Sequence, residues 1–406
     1  MVSYTVKFLH VSDTHLGIKQ YGLLDREKDV YEAFAEVVEI AKREKVDAVL
    51  HAGDMFDKST PKPFTLIAAF KPLLSLAEKG IEFYVSPGNH EYPKAIDEGS
   101  PVRLLEIAGL AKGPDPGKPH GPTIHRVGVD KKVILAIFPP TGLSALRTFS
   151  IEKKREEFLI ALAHARLCDA LKDAEGIPLE KCSSQTPLLS TDITGNVDYA
   201  ALGDVHVVWE GKLPSGGRAV YPGATEHFAV DEYERSGGRR FVYLIKLEDG
   251  TLAEVRRIEL KSVRPWIVLR APYAQIMKSV EELKRGQGKP PLLYIEVTDP
   301  IDKAKREKLL QKLRVLVTSG EALDYVFHSR QQEETKARLS EEVQQLELSQ
   351  VFMNAFRQLL KKEGVREDCL SVNEIVDKLK DFVSSPSEDG AKALLKSLES
   401  ALSYCR

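Results

Sequence analysis

The stretch V-S-D-T-H, residues 11–15, decides the fold, because an apolar run ends there in two side chains of metal-binding types. Four later apolar runs end in the same way, at H-A-G-D (51–54), S-P-G-N-H-E (86–91), A-L-A-H (161–164) and A-L-G-D-V-H (201–206). Short β-branched and aliphatic runs that stop at such polar residues are typical of buried strands. The pattern predicts strands over residues 6–11, 48–52, 81–85, 158–163 and 199–202.

The polar side chains at these five strand ends are expected to share one site. In open α/β sheets, sites form beyond the carboxyl ends of the strands. The pattern therefore predicts a two-metal hydrolytic site built from carboxylates, imidazoles and one amide. Its candidate residues are Asp13, His15, Asp54, Asn89, His90, His164, Asp204 and His206.

Spacing within the motifs suggests what these side chains do. Alternate side chains of an extended segment lie on the same side, so Asp13 and His15 can bind one ion together, as can the pair at 204 and 206. If Asn89 turns its carbonyl oxygen to a metal, the adjacent His90 must point elsewhere, toward substrate. Mixed carboxylate, imidazole and amide donors suit Mn²⁺, Fe²⁺ or Zn²⁺ better than Ca²⁺. Two such ions ~4 Å apart can clamp the attacking and leaving oxygens of a phosphoryl transfer.

Each motif also has a purely structural interpretation. A single D-x-H arises by chance, G-D and G-N-H are turn signals, and His164 alone would more often be a core histidine. Their joint occurrence, each time after a strand signal, favours the metal site. His10 and His51 alternate with the pattern and are expected to be structural, whereas for His227 a place at the substrate rim and a structural role are equally supported.

The order of strand and helix signals predicts an α/β fold. They alternate through the first ~150 residues, with helices predicted over 29–45, 64–79 and 102–108. The pattern over 219–260 is strand-like. Two β-sheets flanked by helices would accommodate these elements.

Beyond residue 260 the pattern changes to a small βαβαβ unit, consistent with a separate domain. Residues 261–330 contain 14 Lys and Arg against 8 Asp and Glu, although the whole chain has a net charge of −2. A basic segment on an acidic body suggests contact with a polyanion, and the alternative is a solvated, charged helix face.

The C-terminal part of the chain is predicted to be a charged linker followed by helices. Residues 331–349 are rich in Gln and Glu, and residues 350–406 contain amphipathic helices. Apolar positions such as Val351, Phe352 and Leu359 follow a polar linker, which favours docking on a partner over packing on the chain's own domain.

Cysteines and hydropathy indicate where the protein works. The four cysteines are scattered, with no C-x-x-C pair, so neither a zinc finger nor a disulfide framework is expected, and a reducing setting follows weakly. No apolar run approaches the ~18 residues needed to span a bilayer, and no signal peptide is evident. We expect a cytoplasmic protein without membrane contact.

With these motifs the chain resembles the calcineurin-like metallophosphoesterase superfamily and, more narrowly, the Mre-eleven/SbcD-type nucleases of DNA double-strand-break repair. The segments F-L-H-V-S-D-T-H-L-G, H-A-G-D-M-F-D, S-P-G-N-H-E, D-Y-A-A-L-G-D-V-H and V-Y-P-G-A-T-E support the resemblance, which covers residues 1–260. It implies a four-layer αββα sandwich with a small α+β cap domain and a C-terminal helical segment. The implied domains are a nuclease domain at 1–260, a DNA-contacting cap at 261–330, the linker at 331–349 and an ATPase-binding segment at 350–406.

The resemblance also implies a ligand set, a reaction and partners. One metal would be held by Asp13, His15, Asp54 and His206, and a second by Asp54, Asn89, His164 and Asp204, with His90 as the catalytic histidine that binds no metal. The family cleaves DNA with two Mn²⁺ per subunit and forms homodimers, for which the natural candidate surface is the helix pair at 64–79 and 102–108. It works with a Rad-fifty-type coiled-coil ABC ATPase, here expected at residues 350–406.

Two departures from the family pattern keep alternatives open. The family has G-H-x-H where this chain has G-D-V-H at 203–206, and Gln-Gly where Ala165 and Arg166 follow His164. Asp204 adds a negative charge, so we expect tighter binding of the second metal but slower chemistry. The alternatives to a nuclease are a small-molecule metallophosphoesterase, or a DNA-repair scaffold whose metal site is weakened by Asp204.

Overall fold

The computed structural model describes residues 4–92, 99–128, 131–179, 182, 188–283, 286 and 288–329. The predicted linker at 331–349 and the predicted helical segment at 350–406 lie outside the described residues. Among the described helices, none is long and apolar enough to cross a membrane.

The described residues form strands and helices in alternating order. The strands are β1 Thr5–Val11, β2 Ala48–His51, β3 Glu82–Val85, β4 Thr123–Val127, β5 Val133–Ile137, β6 Phe158–His164, β7 Tyr199–Gly203, β8 Trp209–Lys212, β9 Arg218–Tyr221, β10 Phe241–Glu248, β11 Thr251–Glu259, β12 Trp266–Ala271, β13 Leu292–Val297 and β14 Asp324–Ser329. The α-helices are α1 Leu24–Glu44, α2 Pro63–Glu78, α3 Pro101–Ile107, α4 Cys168–Glu175, α5 Val230–Ser236, α6 Tyr273–Glu282 and α7 Lys303–Thr318.

These strands form three sheets. The first has the order β11-β10-β1-β2-β3, the second β4-β5-β6-β7-β9-β8, and the third β12-β13-β14. In the first sheet β1, β2 and β3 are parallel, and in the second β5, β6, β7 and β9 are parallel. Antiparallel neighbours lie at both ends of the second sheet and beside β1 in the first. The parallel centres place several strand ends at one edge of each sheet.

The first two sheets pack face to face between helices. One apolar cluster joins the inner faces of the sheets and includes Phe8, Leu50, Leu135 and Leu162. A second cluster covers the outer face of the first sheet with α1, α2 and α3, and a third covers the outer face of the second sheet with α4. This four-layer arrangement confirms the predicted αββα sandwich. It gives each parallel strand the apolar cover that such strands need on both faces.

Most predicted elements appear with small changes at their ends. The first helix begins at Leu24 rather than at residue 29, because its first turn is polar and contains Asp25 and Glu27, which favour a helix N-terminus. The predicted βαβαβ order after residue 260 is the observed order of β12 to β14. Short elements such as α5 and β8 were not predicted.

The chain divides into two compact units. The larger contains the described residues of 4–268, 286–294 and 316–325, and the smaller those of 269–283, 295–315 and 326–329. The division at residue 260 that the resemblance implies stays a prediction.

Within the larger unit, a buried ion network surrounds Asp29 of α1. Its carboxylate accepts hydrogen bonds from Arg26 at 2.7 Å, from Arg264 at 2.6 and 3.0 Å, and from Lys289 at 2.8 Å. Arg26 also pairs with the buried Glu226 at 3.2 Å. Three cations around two buried carboxylates satisfy one another, and this pairing keeps charges inside the protein that would otherwise be too costly to bury.

One prediction from composition is wrong. Cys168, the first residue of α4, forms a disulfide with Cys182, and their Cα atoms lie 5.5 Å apart, within the usual range for such a bond. The scatter of cysteines along the chain concealed this pairing, because proximity depends on how the loop after α4 folds. The weak inference of a reducing setting therefore loses its support.

His10 and His51 are buried histidines with a structural role, as predicted. His10 lies between Tyr199 and the carbonyl of Leu202, at 3.1 and 3.2 Å, and His51 contacts Thr14 at 3.1 Å. Both are fully buried, and burial lowers the pKa of each to about 3.

The His10 pKa predicts how stability depends on pH. In the unfolded chain His10 binds a proton near pH 6.5, whereas in the folded protein it does so only near pH 3. The stability that comes from burying neutral His10 is therefore complete above pH 6.5 and is lost as pH falls. Between pH 6.5 and 5, the free energy of unfolding of wild type should fall relative to His10→Gln by about 2 kcal/mol. Urea unfolding of both proteins measures the difference, which also cancels the opposite contributions of His164 and His206. A difference that stays constant over this range would contradict the assignment.

Candidate metal centre

The predicted ligands lie where the chain leaves the central strands. Asp13 and His15 follow β1, Asp54 follows β2, and Asp204 follows β7. Each of these four has a backbone φ between 43° and 98°, in the left-handed region that non-glycine residues rarely adopt. Such outliers cluster at functional sites, where the surrounding structure holds them in place. Their coincidence with the predicted ligands supports a site at this edge.

Backbone hydrogen bonds join the two loops that leave β1 and β2. The amide of Asp13 donates to the carbonyl of Gly53 at 3.0 Å, and the amide of His15 donates to the carbonyl of Asp54 at 3.0 Å. The amide of Asp204 donates to both carboxylate oxygens of Asp13, each at 3.2 Å. The loops therefore continue the pairing of the strands and fix the carboxylates relative to one another.

A first group of donor atoms lies around His15. Its Nε2 is 3.2 Å from Nε2 of His206 and 3.8 Å from Oδ2 of Asp54. Nε2 of His206 is 3.9 Å from Oδ1 of Asp13. Ligand atoms of Asp13, His15 and His206 all lie within 4.8 Å of one another.

A second group lies around His164, the last residue of β6. Its Nε2 is 3.2 Å from Oδ1 of Asn89, 3.3 Å from Oδ2 of Asp54 and 3.5 Å from Oδ1 of Asp204. Its Nδ1 contacts the carbonyl of Ala52 at 2.8 Å. Because a carbonyl only accepts, Nδ1 has the hydrogen, and Nε2 is the atom that can face an ion. The structure thus brings all seven predicted ligands together.

The spacing of these atoms fits shared metal ions. With bonds of ~2.1 Å and angles between tetrahedral and octahedral, two ligands of one ion lie about 3.0–3.4 Å apart. The distances of 3.2 Å between His15 and His206, and of 3.2 and 3.3 Å from His164 to Asn89 and Asp54, fall in that range. The two imidazole nitrogens face each other, an arrangement that a cation between them would satisfy. Asp54 belongs to both groups, as a bridging ligand should.

Several side chains that would bind cations have shifted pKa values. Burial lowers the pKa of His206, but its hydrogen bond to Glu232 prevails and raises it to about 9. Burial likewise opposes protonation of His164, yet contact with Asp204 and Asp54 raises its pKa well above the usual value. Burial raises the pKa of Asp54, but the hydrogen bond and charge of His164 lower it to about 2. A cation that binds must therefore displace protons from these two imidazoles.

His90 differs from the seven ligands in its surroundings. Its Nδ1 contacts the backbone carbonyl of Asp57 at 2.8 Å, so Nδ1 has the hydrogen and Nε2 is left for another partner. Its backbone amide donates to Oδ1 of Asp54 at 3.1 Å, and its side chain lines the open cleft. This position suits a proton donor to substrate. Its Nε2 also lies 3.8 Å from Oδ2 of Asp54, so geometry alone does not exclude it as a ligand.

The structure adds a residue that the sequence analysis missed, Glu232 of α5. Its carboxylate accepts from Nδ1 of His206 at 2.8 Å, from the amide of Phe228 at 3.0 Å and from the buried Arg240 at 2.6 Å. This contact orients the ring of His206 so that Nε2 faces the first group. No local pattern marks Glu232, because its partner lies 26 residues away.

Asp204 and Arg166, which depart from the family pattern, contact each other. Nε of Arg166 donates to Oδ2 of Asp204, and Nη2 donates to Oδ1 at 3.2 Å. The negative charge expected at Asp204 thus lies beside the positive charge of Arg166, and its expected effects on metal binding and reaction rate stay predictions.

His227 is also settled by the structure. It is fully buried, and its Nε2 contacts the hydroxyl of Ser236 at 2.8 Å. Its neighbour Phe228 lines the cleft instead. A place for His227 at the substrate rim is therefore wrong.

A glycine next to the site gives a test of its geometry. A Cβ added at Gly88 would lie 2.0 Å from Oδ1 and 2.5 Å from the backbone nitrogen of Asp54. We expect Gly88→Ala to displace the carboxylate of Asp54 and to lower the amount of divalent metal bound per chain relative to wild type, as measured by elemental analysis after dialysis. Gly121→Ala is the control, because nothing lies within 4 Å of its added Cβ. Full metal content in a folded Gly88→Ala protein would contradict the site.

Comparison with known proteins agrees with this geometry. Residues 6–172 match the family model "Calcineurin-like phosphoesterase". The chain is similar to "DNA double-strand break repair protein Mre11" of Saccharolobus solfataricus, with 29% identity over 82% of this chain and 85% of that protein. The Mre11 protein of Sulfolobus acidocaldarius is 29% identical over 80% of this chain and 81% of its own length, and that of Methanocaldococcus jannaschii 29% identical over 70% and 74%.

The matched residues contain four of the five strand ends, those up to His164, and the longer alignments extend the likeness over most of the chain. The prediction of a metal-dependent phosphoesterase is confirmed at this level. The chain thus resembles the calcineurin-like phosphoesterases over residues 6–172 and the Mre11 proteins over most of its length.

Proposed function

We propose that this protein is a manganese-dependent DNA nuclease of double-strand-break repair that hydrolyses phosphodiesters. The observation that supports this most is that seven donor side chains lie at ligand spacing, and that five of them line one cleft together with His90. The names of its relatives place them in repair of DNA double-strand breaks. Both exonuclease and endonuclease cleavage belong to the proposal.

The ligand assignment is part of the proposal. Each chain would bind two Mn²⁺, one through Asp13, His15, Asp54 and His206, and the other through Asp54, Asn89, His164 and Asp204. Such ions, when bound, supply Lewis-acid polarisation of the phosphate and an acidified water.

The protein's own residues then position the substrate and move a proton. His90 lies on the open side of the cleft with Nε2 available, where it can donate a proton to the leaving oxygen. Glu232 keeps His206 in the tautomer whose Nε2 faces the first group. Phe228 lines the cleft beside the imidazoles of His15 and His206, with ring centres 5.0 and 5.6 Å away, and reduces the access of water on that side.

The charge of the cleft also favours a metal-dependent reaction on an anion. The cleft has a volume of about 350 Å³. Its lining includes six carboxylates, those of Asp54, Asp57, Glu175, Asp204, Asp231 and Glu232. Among the residues that the structure describes, two guanidinium groups, Arg166 and Arg235, line the same cleft. A phosphodiester would be repelled from this surface until divalent cations reverse its charge.

Helix α7 supports DNA as the substrate over a small phosphate ester. Its side chains Lys303, Lys305, Arg306, Lys308, Lys312 and Arg314 are all exposed. Exposed cations on one helix are suited to phosphate backbones, and a small substrate would not require them. Residues 261–330 are thus proposed as the DNA-contacting part. The proposed ATPase contact at 350–406, with a Rad-fifty-type ABC ATPase, lies outside the described residues.

Cleavage assays with matched variants test the proposed function. Wild type should cut plasmid and linear duplex DNA with Mn²⁺ and stop when EDTA is added. His90→Ala should keep two ions but cut about 100- to 10,000-fold more slowly, since it lacks the proton donor. The exposed His120, which lies outside the motifs, gives the control His120→Ala.

The same assay separates the alternatives. Rapid hydrolysis of nitrophenyl phosphate esters with intact DNA would indicate a small-molecule phosphoesterase. A protein that binds one ion or none and cuts neither substrate would be the scaffold. Full DNA cleavage by His90→Ala would contradict the proposed role of that side chain.

A second copy of the chain is the proposed partner for α2 and α3. Both helices pack on the first sheet, yet large apolar side chains point outward from them. Phe64 is 65% and Ile107 73% exposed, and Ile67, Leu74 and Leu104 are exposed as well. An apolar patch of this kind marks a protein interface, and a homodimer is what the resemblance implies.

Light scattering after size-exclusion chromatography tests this surface. Wild type should have the mass of a dimer, and the double variant Phe64→Asp with Ile107→Asp should be a monomer, because burying two carboxylates opposes association. Leu24→Asp, at an exposed apolar position elsewhere, should remain a dimer. A monomeric wild type, or a dimeric double variant, would count against the surface.

A further inference from the structure

We propose that Arg166 binds the phosphate group of the substrate and that Asp204 holds it in position to do so. This inference rests on the proposed function, because it concerns the same cleft. Arg166 lies two residues beyond His164 and lines the cleft together with Asn89 and His90. It is therefore close to the place where a phosphate would meet the metal ligands.

The guanidinium is anchored at one side and open at the other. Two of its N–H groups donate to the two oxygens of Asp204, whose side chain is only 12% exposed. A guanidinium has five N–H donors, and within the described part of the chain Arg166 uses two of them on Asp204. Three N–H groups therefore remain for a ligand. The side chain of Arg166 is itself 55% exposed. Planar pairs of this kind are suited to phosphate, because further oxygens can be bound bidentately.

The backbone on both sides of Arg166 is fixed by one hydroxyl. The hydroxyl of Tyr221 donates to the carbonyl of Ala165 and accepts from the amide of Leu167 at 3.0 Å. Tyr221 is fully buried at the end of β9. Arg166 thus has little freedom at its base or at its head, which lowers the entropy lost when it binds a ligand.

The other arginine of the cleft lacks these features. Arg235 pairs with Asp231 at 3.1 Å, one turn away on α5, and the side chain of Asp231 is 53% exposed. Such a pair on a helix surface is weak and readily exchanged for water. The two arginines have the same charge and line the same cleft, so Arg235 is a matched control for Arg166.

The position of Asp204 explains why an arginine is useful here. Its Oδ1 lies 3.5 Å from Nε2 of His164, so the carboxylate belongs to the second group of donor atoms. A carboxylate at this position makes the cleft less attractive to an anion, and the guanidinium on its far side restores that attraction. Because Arg166 itself lines the cleft, the N–H groups that do not contact Asp204 are available there.

Calorimetric titration of inorganic phosphate into the Mn²⁺-loaded protein tests the proposal without any reaction. Arg166→Gln should weaken phosphate binding about 10- to 100-fold, the usual effect of losing a hydrogen bond between charged groups. Arg166→Lys should fall between this variant and wild type, since an ammonium cannot form the fork. Arg235→Gln should change the affinity less than about threefold, as expected for an exposed, screened charge. All variants should keep two Mn²⁺.

A charge-matched variant separates direct contact from net charge. Arg166→Gln combined with Asp204→His removes one positive and one negative charge, so the cleft keeps its balance, but phosphate binding should stay weak. Recovery in this variant, or equal losses in Arg166→Gln and Arg235→Gln, would overturn the proposal. Loss of Mn²⁺ from Arg166→Gln would also overturn it and make Arg166 a support of the metal site alone.

Kinetics link the result to the reaction and keep the two proposals apart. Compared with wild type, Arg166→Gln should mainly have a higher KM for DNA and be inhibited more weakly by phosphate. If wild type binds two Mn²⁺ but cuts no DNA, the proposed function fails, while the phosphate titration still decides whether Arg166 binds phosphate. If DNA is cut and phosphate affinity is the same in Arg166→Gln, only the inference about Arg166 fails.

Discussion

The whole site depends on parallel strands that end at the same edge and then turn sharply. Asp13, His15, Asp54 and Asp204 adopt left-handed backbone conformations at these turns, at a cost of about 1–3 kcal/mol each. Strand packing on both faces of the sandwich and hydrogen bonds such as Asp13 to Gly53 hold them there. Without that framework the carboxylates would relax to ordinary loop conformations and their oxygens would separate.

Backbone pairing between strand-end loops holds the ligands of this site in place. Small zinc domains differ, because their binding free energy is folding free energy and the unfolded chain has no site. Here hydrogen bonds to the carbonyl of Ala52 and to Glu232 orient the imidazoles of His164 and His206. Burial opposes protonation, but contact with neighbouring carboxylates raises the pKa of both imidazoles, so a cation that binds through them must displace protons.

The sequence predicted what depends on local pattern. Strand ends and ligand residues could be found because apolar runs and their terminal polar residues are adjacent in the chain. The alternation of elements predicted an α/β fold, and the four-layer sandwich was implied by the resemblance. Glu232, the pair of Arg166 with Asp204, and the disulfide of Cys168 with Cys182 could not be found in this way. Each joins residues 14 to 38 positions apart whose proximity depends on how loops fold. The pairing of Arg166 with the charge expected at Asp204 was missed for the same reason, since the two residues are distant in sequence.

The network around Asp29 has a consequence for how loss-of-function variants are interpreted. Arg26, one of its members, also donates to the carbonyl of His227 at 2.7 Å and to Gln20, which in turn donates to the carbonyl of Phe228 at 2.7 Å. Removing Asp29 would leave the buried Arg264 without its carboxylate partner, and breaking a buried pair in this way typically costs about 3–5 kcal/mol, a large part of a domain's stability. A genetic screen would then report Asp29 as essential, although it touches no substrate. The amount of folded protein in the cell, rather than turnover per molecule, would distinguish such a residue from the true members of the cleft.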